Sequence, residues 1–286
     1  KLITAYLETM ALMTNSSGAA EKFLEIISAL PDYVTILALM PKELFAKVFS
    51  GKFDRVLSLV DAEALLGLVA KGPLLDTYFE KIEIVTREVD ERRSVELSES
   101  ALKLFSKSVE TNEVWEFIIR FLPSFLSNVD NSWEWVELLC KKCAGIKSFC
   151  PESKGAYEKI LIKICGVQAL AIKKDSDLGK KKFAELLEQI WELGDKHPEP
   201  SIIACVTRSV TNLLSILPHF GDVLWGFEVI ETINKRSKEF IENRKGAPLS
   251  FFINQISIAI TTAASKLSDT QTALTIMEDN LQYLLN

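Results

Sequence analysis

The sequence predicts an all-α protein, a stack of antiparallel helical hairpins with an irregular, short-helix N-terminal end. Three observations predict it. Apolar residues recur at spacings of three and four, as in Val95, Leu97, Ala101, Leu102, Leu104, Phe105 and Val109, which puts them on one face of a helix. No stretch sustains an alternation of apolar and polar residues, and no Asn-Gly or Asp-Gly hairpin turn occurs. Pro31, Pro41, Pro73, Pro151, Pro198, Pro200, Pro218 and Pro248 fall where such helices would start or stop.

The elements are taken in chain order. Residues 2–70 divide into short helices, because Pro31, Pro41, Gly51, Gly67 and Gly72 interrupt the chain about every ten residues. This stretch reads as a cap on the longer helices beyond it, since no polar linker separates the two. Those longer helices are expected at about 73–92, 94–109, 112–127, 132–147, 154–174, 177–196, 200–216, 221–243, 249–267 and 269–285. Phe183, Leu186, Leu187, Ile190 and Leu193 carry the pattern in one, and Val223, Leu224, Phe227, Ile230 and Ile233 in another. Pro123 falls inside 112–127 and should kink or split that helix. Asn131 with Glu134, and Ser268 with Gln271, have capping-box spacing. The whole reads as one helical domain, 1–286, with sub-boundaries near residue 72 and at 148–154.

Composition narrows the class. The 286 residues are 48% hydrophobic and 25% charged, with 33 basic and 39 acidic side chains and a net charge of −6. That excludes a disordered chain, a collagen-like chain and a strongly basic nucleic-acid module. Residues 1–150 carry 17 basic and 22 acidic groups, and residues 151–286 carry 16 and 17, so neither half is a charged arm. The sequence starts at Lys1; Leu2–Met13 is broken by Thr4, Glu8 and Thr9 and does not read as a signal peptide. Lys163 interrupts Ile160–Ile172, and Asn254 and Gln255 interrupt Phe251–Leu267, so both read as core helices and no membrane span is expected. Five cysteines in a long chain need no disulfide staples, which points to reduced thiols and an intracellular, cytoplasmic protein.

Helix pairs in the second half begin near Ser153, Glu199 and Pro248, roughly 45–50 residues apart. In helix length and pairing, residues 73–286 resemble the α-solenoid superfamily of HEAT, armadillo and tetratricopeptide-like arrays. The tetratricopeptide consensus of Trp, Leu-Gly, Tyr, Ala, Phe and Pro does not register on any pair. The resemblance implies a right-handed stack whose concave groove is lined by the second helices of successive pairs. It implies a non-catalytic protein–protein scaffold or adaptor.

Several constellations compete with that reading. Cys140 and Cys143, with Cys150 and Cys165, put four thiols within 26 residues, the ligand number of a zinc site. Core packing is the stronger reading, because Cys140 and Cys143 share a stripe with Val136, Leu139 and Ile146. The same pair lies near a helix C-terminus, which disfavours a redox thiolate. His197 and His219 are the two histidines, both beside prolines at helix ends, and give no triad signature. Glu110, Glu113 and Glu116 form one carboxylate row, and Asp130, Glu134 and Glu137 another. A helical metal-dependent enzyme would be built on such rows, although they read more simply as solvated faces. No Gly-x-Gly-x-x-Gly or Walker loop occurs, and no cofactor is expected. Lys180, Lys181 and Lys182, with Lys173 and Lys174, form a basic cluster around 173–182; Lys235, Arg236 and Lys238 continue it at 235–245 with Arg244 and Lys245. Aligned by stacking, these would make a nucleic-acid-tracking edge. Trp133 and Trp135 lie two apart on one helix, so one of them should be exposed or at a seam between repeats, and an exposed tryptophan would be a partner contact.

Overall fold

The computed structural model describes residues 36, 38–42, 72–108, 115–143, 155–173, 176–197, 199–242, 244, 249–267 and positions 271, 274, 275, 278 and 282. Among these, all regular structure is helical. The helices are α1 (Gly72–Glu88), α2 (Glu91–Ser108), α3 (Trp115–Asn128), α4 (Ser132–Lys142), α5 (Ala156–Lys173), α6 (Ser176–Lys196), α7 (Pro200–Ile216), α8 (Val223–Glu242) and α9 (Leu249–Lys266), with a 3₁₀ turn at Leu217–Phe220 after α7. The all-α expectation holds, and these nine helices match the expected long ones closely. Nearly all of the short-helix N-terminal end and most of 269–285 lie outside the described residues. The chain divides into two compact units, Lys1–Ile146 and Lys147–Asn286.

In the first unit α3 packs on α1 and α2, and α4 on α2 and α3. Its core is aromatic. Phe79 of α1 meets Phe105 of α2 at 5.2 Å and Phe121 of α3 at 5.5 Å, and Phe105 meets Phe125 at 5.5 Å. Each such pair adds about 1 kcal/mol beyond its buried area. Polar bridges follow the same pairing: Ser124 donates to Glu83 across 41 residues of sequence, and Asn128 donates to Ser98 at 3.0 Å. Lys81 is only 2% exposed and donates to the Ala38 carbonyl; burial pulls its pKa down to about 8.

Helix α3 runs through Pro123 without splitting, and the expected side-chain cap does not form. The lost hydrogen bond is outweighed because Ile118, Phe121, Leu122, Phe125 and Leu126, on both sides of the proline, are all buried. At Asn131 no side-chain cap forms. Its carbonyl accepts from Glu134 N at 3.0 Å, and its side-chain amide turns to the Glu134 carboxylate at 3.4 Å.

In the second unit α7 packs on α5, α6 and α9, α5 on α6, and α8 on α9; the 3₁₀ turn touches all five helices. Gly221 leaves that turn at φ 69°, a left-handed conformation that suits glycine. Side chains join α6 to α8 along their length. Phe183 meets Trp225 at 5.5 Å, and Trp191 meets Phe240 at 5.5 Å. Phe240 then stacks on Phe252 of α9 at 5.2 Å. A Cβ added at Gly194 would stand 2.5 Å from the Phe240 ring and 3.1 Å from Val206 of α7, so glycine is required for this approach. Residues Pro200–Phe220 have the length and mean hydropathy (1.3) of a membrane-crossing segment, and 61% of that window is buried inside the protein.

Candidate functional site

The basic edge is compensated by carboxylates. Lys180 pairs with Asp222 at 2.5 Å and lies over the Trp225 ring at 5.4 Å. Lys182 pairs with Glu185 at 2.9 Å. Arg236 pairs with Asp195 of α6 and with Glu239 at 3.3 Å. Lys181 and Lys235 are exposed. Asp222 does two jobs: it accepts from the Trp225 amide at 3.1 Å, capping α8, and it holds Lys180. The Lys180 bond and then the Trp225 amide hold its carboxyl below the usual range. At the other end of α8, Arg244 donates to the carbonyls of Phe240 (2.9 Å) and Gly194 and stacks 3.5 Å from the Phe240 ring. Lys180, Arg236 and Arg244 tie α6 to α8.

The other anticipated residues are dispersed. Trp133 and Trp135 are both half-buried, and neither is fully exposed. Their helix, α4, packs on both α2 and α3. Cys140 is half-buried, Cys143 and Cys165 are buried, and all three are reduced thiols; Cys150 lies outside the described residues. Cys140 and Cys143 belong to the first unit and Cys165 to the second. No group of three or more His, Cys, Asp or Glu placed to hold a metal occurs among the described residues. Cys205 is disulfide-bonded, which departs from the expectation of reduced thiols. Asp130, Glu134 and Glu137 are exposed on α4 and the turn before it. Glu110 and Glu113 lie outside the described residues. His197 stands 3.9 Å from Glu199, and His219 is exposed.

The second unit assembles a groove on its α5–α7–α9 side. A cavity of about 530 Å³ is lined by Tyr157 of α5, by Ser201, Arg208, Thr211 and Asn212 among others of α7, and by Gln255 of α9. A smaller cavity of about 180 Å³ shares Thr211 and Gln255 and continues past Leu214, Ile258 and Thr262 to Lys266. The floor is mixed: Leu214 and Ala259 are buried, while Ile258 is 54% exposed. The hydroxyls are already turned inward. Thr211 donates to Thr207 O and Thr262 to Ile258 O, both at 2.8 Å, which leaves their oxygen lone pairs as acceptors. Burial pushes the Tyr157 phenol up, and the Arg208 guanidinium beside it opposes that rise.

The groove differs from the expected one. In the anticipated pairing α7 and α9 are first helices, not second helices. None of Tyr157, Arg208, Asn212, Gln255 and Lys266 stands out as a site residue in the sequence. A signal is nonetheless present: α7 and α9 contain one charged residue each, Arg208 and Lys266, and both line the groove.

No protein-family profile matches the sequence, and no curated protein matches it. Among solved structures, one match is a chain from work described as the computational design of self-assembling cyclic protein homooligomers. It is 13% identical over 94% of this chain and 98% of that one, with a TM-score of 0.20. A likeness at that level supports no inference about fold or assembly.

Proposed function

We propose that the chain is a non-catalytic protein-interaction scaffold, built as an α-solenoid-like, right-handed stack of antiparallel hairpins, whose partner surface is the α5–α7–α9 groove. The stacking rests on which residues touch. Lys163 reaches Gln189 and Gly179 lies on Leu170, so sequence number rises along α5 as it falls along α6. Gly226 with Leu267 and Phe240 with Phe252 give the same opposed sense to α8 and α9. Lys180 with Asp222 and Asp195 with Arg236 run the other way, in step, 42 and 41 residues apart. Glu83 with Ser124 repeats the 41-residue step in the first unit. A step near 42 residues is that of a two-helix repeat, shorter than the 45–50 read from the proline positions.

The two adjoining cavities, which share Thr211 and Gln255, are the observation that supports the function. Stacked hairpins expose extended surfaces between like helices, and this one is open and mixed in polarity, with no carboxylate among the described residues that line it. The nucleic-acid reading falls behind, because Lys180, Lys182 and Arg236 are already held by carboxylates. Thr211 lines both cavities, so Thr211→Trp should obstruct the groove. Affinity capture from the native cell with wild type and with Thr211→Trp tests the reading. Specific proteins should be retained by wild type and lost from the variant, with unchanged helical content. An identical set of captured proteins would overturn it.

A further inference from the structure

We draw no further inference here: the strongest candidate, the exposed apolar patch of Leu178, Val223 and Leu224 where the start of α6 meets the turn before α8, carries none, because nothing in the structure shows what covers it and Lys180 and Lys182 beside it are already paired with Asp222 and Glu185.

Discussion

Two faces of the second unit are built from the same kind of helix and are chemically unlike. Helices α6 and α8 carry nine and seven charged residues, and α7 and α9 carry one each. On the first face several of the charges are held in pairs that join the helices. Asp195 and Asp222 hold Arg236 and Lys180, and Arg244 caps both helices from one side. On the second face, cohesion comes from apolar burial of residues such as Ile202, Val206, Val210, Leu213, Ile256 and Ile260. Neither of its helices contains an acid, and Arg208, beside the Tyr157 phenol, and Lys266 are the cations that line the groove among the described residues. The crowded basic cluster is architecture, and the sparse face is the better place to look for a partner.

Substitutions probe that contrast, and the aromatic seam gives the biggest response. Phe240 is buried between Trp191, Phe252 and Arg244; Phe240→Ala should cost about 4 kcal/mol in chemical unfolding. A loss below ~1 kcal/mol would remove the ring as the link between α8 and α9. In the first unit, by contrast, a cation is buried rather than surface-paired. Lys81 has a folded-state pKa of about 8 against an ordinary 10.5. Burial favours its neutral form, so the unfolded chain binds the extra proton between those values and stability rises with pH across that window. The rise is roughly 3 kcal/mol at most and should flatten in Lys81→Met, as read by denaturant titration across the same pH range.

Smaller effects test the α6–α8 seam directly. Gly194→Ala should lower stability by about 2 kcal/mol, because the Phe240 ring is locked by its neighbours and cannot retreat. Asp222 has a depressed pKa, so its contribution is complete above the unfolded value of 3.8 and is lost as pH falls through the folded one. Melting below about pH 4 should therefore be less acid-sensitive in Lys180→Met than in wild type.

Much of the fold is legible in the sequence. Three-four periodicity and the prolines locate nine helices, most within a few residues, because one buried face per helix leaves a direct imprint. Pro123 does not split α3, because its neighbours' burial, which depends on α1 and α2, outweighs one lost hydrogen bond. The site is less legible. Lysines clustered in sequence draw attention, yet their partners Asp195 and Asp222 stand 41 and 42 residues away and appear only when helices are stacked. Asp222, directly before Val223 and Leu224, does carry a readable N-cap signal. The groove residues Tyr157, Arg208 and Gln255 come from three helices, and no local motif joins them; the near-absence of charge in two whole helices is the readable clue.

Whether the sparse face is the partner face can be read by placing a photo-crosslinking residue at Ser215, on the groove side, or at Glu231, on α8, in the full chain in its native cell. Both positions are exposed. Protein adducts are expected from Ser215, with few or none from Glu231. Adducts from Glu231 with none from Ser215 would contradict the assignment.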